Sequence, residues 1–101
     1  MIDSALRIER GDGAIRVAGR LGFSEASAAL ARSGELTVAN ASDVAVDVSG
    51  LEAVDSATLA VLLAWAARAR VRGTALRFTK VPAGLLALAH LCDAEDLLGI
   101  A

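Results

Sequence analysis

The stretch from Val54 to Arg70, VDSATLAVLLAWAARAR, reads as one helix that is apolar on nearly every side until its arginines. Such a helix has to be covered on more than one side, and a chain of 101 residues has a single core to offer it. The rest of the fold is therefore arranged around this helix. Counted at about 100° per residue, Leu59, Leu62, Leu63, Ala66 and Arg70 fall in one arc. The leucines of that arc are expected to face a sheet, with the Arg70 stem reaching its rim. The opposite arc carries Thr58, Val61, Trp65 and Arg72, with Arg68 beside it and the small Ala57 and Ala64 on its flank. An aromatic with Val and Arg neighbours on an outward helical face has the composition of an interface anchor. That arc is therefore expected to meet another protein. The alternative is that Trp65 folds down over the edge of its own domain, since Trp is seldom wholly exposed.

Alternation and punctuation place the other elements around it. Ala5 to Arg10 alternates at period two, Gly11 to Gly13 (GDG) supplies turn conformations, and Ala14 to Ala18 alternates again, which predicts a β-hairpin. Ser24 is expected to cap a first helix, SEASAALAR, with Glu25 in the first turn where the helix dipole favours an anion. Asp43 to Val48 (DVAVDV) is short and rich in valine, as a buried central strand would be, and Ser49 and Gly50 are expected to form the loop after it. Gly73 stops the long helix, Ala75 to Lys80 (ALRFTK) reads as a strand, and Pro82 starts a third helix, AGLLALAHL. The order β-β-α-β-α-β-α predicts an α/β fold. It has one mixed β-sheet packed against helices, with right-handed crossovers after an antiparallel hairpin, in one domain over residues 1–101.

Composition removes whole classes of function. The formal net charge of −2 and the absence of a basic run leave nothing to neutralise phosphates, so no nucleic acid is expected as a partner. A single cysteine, Cys92, rules out an internal disulfide and a structural zinc site, which fits a reducing cytoplasm. The opening MIDSALRIER holds no apolar region of the signal-peptide kind, so export is not expected. Ala57 to Ala67 falls short of the roughly 20 residues needed to cross a bilayer, so no membrane insertion is expected. No G-x-S-x-G, G-x-x-x-x-G-K-[ST] or G-x-G-x-x-G motif is present, and Gly11 and Gly13 only make a turn. His90 and Cys92 stand two positions apart on a helix and diverge by about 200°, so they cannot form a nucleophile pair. A half-exposed His and a small core-filling Cys are expected instead. Asp43, Asp47 and Asp55 read as turn and cap residues rather than a magnesium site. The chain is expected to be no enzyme and to carry no cofactor and no metal.

One stretch carries a family signal. VAVDVSGLEAVDSATLAVLL, Val44 to Leu63, resembles the STAS domain (sulfate transporter and anti-sigma factor antagonist). In that family a strand ending in Asp-x-Ser precedes a short loop and an Asp-Ser or Asp-Thr step that opens a helix. The matching residues are Asp47, Ser49, Leu51, Asp55 and Ser56, with Leu59, Leu62 and Leu63 as the buried face of the helix. Anti-sigma factor antagonists of this family are switched by phosphorylation of the residue after the Asp-Ser pair, which here is Ala57, followed by Thr58. The likeness to the MlaB branch is closer. It runs from GDG and VAGRL through VDVSGLEAVDSATLAVLLAWAARA to LLALAHLCDAEDLL. That resemblance implies a non-catalytic, cytoplasmic subunit of a phospholipid ABC transporter that maintains outer-membrane lipid asymmetry, peripheral at the inner membrane through the transporter complex. Its implied partner is the MlaF-like ATPase subunit and, indirectly, the membrane permease. The alternative is a partner-switching regulator of the anti-sigma factor antagonist type. In the MlaB branch a Thr of the Asp-Thr step contacts the ATPase, and Ser56 stands at that position. Ser56, Thr58, Val61 and Trp65, flanked by Asp55 and Arg68, are thus expected to form one docking strip. Ser56 is equally suited to cap the helix, and Ser56 or Thr58 at a helix start could also take a phosphate.

Overall fold

Alternating side chains put Ile15 and Val17, then Val44, Val46 and Val48, then Leu76 and Phe78 on one side of a sheet, and all seven are buried. The computed structural model describes residues 6–11, 14–38, 41–52 and 54–100. Its four strands are β1 (Arg7–Arg10), β2 (Ala14–Arg20), β3 (Asp43–Glu52) and β4 (Ala75–Thr79). They lie in the order β1-β2-β3-β4, with β1 antiparallel to β2 and the β2–β3 and β3–β4 pairs parallel. The three helices are α1 (Ala26–Ala31), α2 (Ser56–Val71) and α3 (Ala83–Leu91). This is the α/β order expected from the sequence. Gly11 N–H donates to the Ala14 carbonyl across the hairpin (2.9 Å), whereas Asp12 and Gly13 at its tip, like Ala5, lie outside the described residues. The outer face of the sheet stays polar: Glu9, Arg16, Asp47 and Thr79 lie level with one another across the four strands.

The loop expected at Ser49 and Gly50 is strand. Pairing with β2 runs on through Ala18↔Gly50, Gly19↔Leu51 and Arg20↔Glu52 after a register shift between Arg16 and Ala18. Two steps along β2 match three along β3, so β3 carries one extra residue, and the inward row steps from Val48 to Leu51 rather than to Gly50. The Asp47 carboxylate accepts the Ser49 N–H inside this bulge (2.8 Å). Only glycine fits at position 50, where a Cβ would stand 2.7 Å from the Ala18 Cβ. Asp–Ser–Gly chemistry reads locally as a turn, and a bulge uses the same residue types without leaving the sheet.

The first helix also starts differently. Ser24 does not cap it but sits exposed within a 3₁₀ turn, Phe23–Glu25, which the Glu25 carboxylate closes by accepting the Gly22 N–H (2.9 Å). Gly73, at φ +85°, ends α2 as expected, in a left-handed conformation that glycine adopts without strain. Pro82 caps α3. Beyond it, the Leu98 carbonyl accepts the Phe78 N–H (3.1 Å), so the C-terminal segment covers part of the β4 edge. Among the described residues no helix is long and apolar enough to cross a membrane.

The orientation of α2 corrects the expected outward arc. Thr58, Val61 and Trp65 are buried, at 0%, 2% and 0% exposure, together with Leu59, Leu62, Ala66 and Ala69. The buried arc is thus centred near Trp65, Ala69 and Leu62, about 80° from the one expected. The face turned out carries Ser56, Ala60, Ala67 and Arg70, with Leu63 only half-buried. Trp65 Nε1 donates to the Ala29 carbonyl (3.0 Å), so the second apolar side of α2 meets α1 of its own chain. A helix apolar all round gives no phase of its own; the large indole takes the interior and the small alanines take the surface. Leu62→Ala should cost about 2 to 5 kcal/mol, and Leu63→Ala markedly less, in chemical denaturation of the two variants.

Candidate partner-binding site

Asp55 has extended backbone and caps α2, which leaves Ser56 as the first helical residue rather than the cap. The Asp55 Oδ1 accepts the Thr58 N–H (3.0 Å), and Thr58 Oγ1 accepts the Asp55 N–H in return (3.0 Å). The Thr58 hydroxyl then donates to the Leu21 carbonyl at the end of β2. One buried hydroxyl thereby ties the sheet, the loop before α2 and its first turn together. Thr58 is accordingly a structural residue, neither a surface contact nor an accessible phosphate acceptor, because its oxygen is fully enclosed and engaged.

The Asp55 carboxyl is held below the ordinary carboxylate range, first by the Thr58 N–H and further by those of Phe23 and Ala57, against partial desolvation. A lowered folded-state pKa stabilises the fold above the unfolded value near pH 4, and that stabilisation disappears as pH falls through the folded value. Asp55→Asn should therefore flatten the acid-side dependence of the melting temperature, measured from pH 7 down to about pH 3.

Of the residues expected to share a docking strip, Asp55 and Ser56 are exposed at this turn, and Thr58 lies beneath them. Val61 and Trp65 belong to the core. Arg68 is exposed, but its guanidinium donates to the Leu30 carbonyl (2.7 Å) and to Ser33 Oγ (3.4 Å), and Arg72 donates to the Ser33 carbonyl (3.2 Å). These arginines satisfy carbonyls at the end of α1, where cations are favoured. Phe23, absent from the expected strip, is 84% exposed and lies two residues after Leu21, whose carbonyl accepts the Thr58 hydroxyl. Nothing in the loop GFSE distinguishes an exposed Phe from a core one; only the position of the 3₁₀ turn does. The outward face of α2 that continues from Ser56 through Ala60, Leu63 and Ala67 was obscured by the missing helix phase.

Other chemistry-bearing residues are engaged locally. His90 Nδ1 lies 2.7 Å from Glu95 Oε2, and Cys92 is exposed at the end of α3 instead of filling the core, because the helix stops there and turns its last residues outward. Asp43 pairs with Arg77 (3.5 Å) and Asp47 with Lys80 (3.6 Å). Among the described residues, no three His, Cys, Asp or Glu side chains gather as a metal-binding group.

A four-stranded mixed sheet, a β3 bulge and an Asp-capped α2 with a neighbouring exposed hydroxyl make up the frame in which Asp47, Ser49, Asp55 and Ser56 sit. A family model described as MlaB, STAS domain matches residues 4–99. The chain belongs to the MlaB-type STAS domain family. No curated protein matches it. STAS domains are generally non-catalytic, and the motif Asp47-Val48-Ser49 forms the bulge while Asp55-Ser56 opens the helix. For this STAS domain, Thr58→Val should cost about 1 to 3 kcal/mol by leaving the Asp55 N–H and the Leu21 carbonyl without their partner. Ser56→Ala should stay within about 0.5 kcal/mol of the parent. Thermal and urea melts of the two variants check both values.

Proposed function

We propose that this STAS domain is a non-catalytic accessory subunit that docks on the ATPase subunit of an ABC phospholipid transporter of the Mla type and supports its assembly and activity. Through that ATPase it is held beside the permease at the inner membrane and contributes to outer-membrane lipid asymmetry. The observation that carries the reading is the exposed Ser56, on a turn fixed by the Asp55–Thr58–Leu21 hydrogen bonds, in a chain matched by the MlaB model over residues 4–99. The resemblance assigns this position to the ATPase contact, and a hydroxyl is kept there.

The partner-switching reading of the family draws less support. Ala57 has no hydroxyl at the position where those relatives carry the phosphate, and the next hydroxyl, on Thr58, is buried. Docking by a fixed turn requires no phosphate on Ser56.

Binding of the purified protein to an MlaF-type ATPase from the same organism tests the proposal. Ser56→Arg should weaken binding at least about tenfold, or 1.4 kcal/mol, with an unchanged melting temperature, and Ser56→Thr should retain it. Protein from native cells should show the unmodified mass. An ATPase that does not bind, or a stoichiometric phosphate on Ser56 that controls capture of a serine kinase, would falsify the reading.

A further inference from the structure

Phe23 is the one aromatic side chain among the described residues that stands free of the core, at 84% exposure, whereas Trp65 and Phe78 are buried. An exposed aromatic normally carries an unfavourable hydration term, which binding removes. This one is not on a loose loop. Leu21, two residues before it, is fully buried and its carbonyl accepts the Thr58 hydroxyl, and the Glu25 carboxylate closes the turn on the Gly22 N–H. The backbone on both sides of Phe23 is therefore fixed relative to the first turn of α2, where Ser56 is exposed. A backbone fixed in this way adds little ordering cost on docking, and a Phe side chain has only two torsions to fix.

We infer that Phe23 is the apolar anchor of the surface centred on Ser56, inserting into an apolar pocket of the partner while Ser56 makes the polar contact beside it. This inference rests on the proposed docking of the ATPase subunit and adds to it a second, chemically different contact. The charge around the turn selects the kind of partner. Segments 20–25 and 52–58 carry the carboxylates Glu25, Glu52 and Asp55 against the single cation Arg20. An anionic lipid surface is repelled by that balance, and a protein pocket rimmed by Lys or Arg is favoured. The outward face of α2 next to Ser56 adds only the small Ala60 before the half-buried Leu63, so a partner can approach the helix closely while Phe23 projects. An aromatic centre with small surroundings is the usual distribution of binding energy at a protein interface.

The experiment measures binding of the full chain to the MlaF-type ATPase for Phe23→Ala, Phe23→Trp and Ser56→Arg, each with its melting temperature, and repeats the measurement on vesicles of phosphatidylglycerol and phosphatidylcholine. Phe23→Ala should weaken ATPase binding by about tenfold or more, Phe23→Trp should retain most of it, and neither should lower the melting temperature, because the side chain packs against little of the fold. If Ser56→Arg weakens binding and Phe23→Ala does not, the anchor is overturned and the docking proposal stands. If neither substitution matters to a bound ATPase, the anchor and the Ser56-centred surface are overturned while docking itself stands; an ATPase that does not bind overturns the docking proposal and the anchor with it. Vesicle binding that disappears with Phe23→Ala would make the residue a membrane contact and overturn its assignment to a protein pocket.

Discussion

The indole of Trp65 ties α2 to α1 through the core of this domain. It is fully buried, its ring nitrogen donates to the Ala29 carbonyl, and it stands on the helix that every other layer has to cover. A buried Trp N–H without an acceptor would carry a large desolvation penalty, so α1 has to lie where its backbone can receive that proton. Arg68 and Arg72 then reach the carbonyls of Leu30 and Ser33 at the far end of α1, which fixes the short helix along α2. With α1 on one side and the sheet on the other, a helix apolar on all sides is buried over roughly half of its circumference.

The surface proposed for docking follows from that burial. Because Leu59, Val61, Leu62 and Trp65 turn inward, the first turns of the outward face are left with Ser56 and the small Ala60, and the Thr58 hydroxyl below them joins the helix start to the end of β2. A rigid turn with an exposed hydroxyl and a projecting Phe23 is better suited to docking a preformed partner surface than to a switch that depends on local rearrangement. The same Thr58 that stabilises the turn is removed by burial from any role as a phosphate acceptor.

The strands, the three helices and their order were legible because each rests on local signals. Period-two valines, the hairpin glycine, Gly73 and Pro82 act within a few residues of themselves. The family, too, was legible in the Asp47–Ser49 and Asp55–Ser56 steps, and the exposed Ser56 was among the expected site residues. Val61 and Trp65 were placed on the wrong side of α2 for a definite reason: with apolar residues all round the helix, the sequence holds no contrast from which to read the buried side. Ser49 and Gly50 look like a loop for the same kind of reason, since a bulge and a turn draw on the same residue types.

By itself the sequence determined the kinds of element, their order and the chemistry available at the start of α2, because helix caps, strand alternation and turn residues are governed by neighbours in the chain. Only the tertiary structure decided which side of α2 is buried, that β3 continues through its bulge to Glu52, and that Phe23 stands exposed on the segment tied to the start of α2. Those three outcomes depend on contacts between distant residues: Trp65 with Ala29, Gly50 with Ala18, and Thr58 with Leu21. Packing fixes such pairs by volume and by the need to satisfy buried polar groups, and neither quantity is written in any short stretch of the chain.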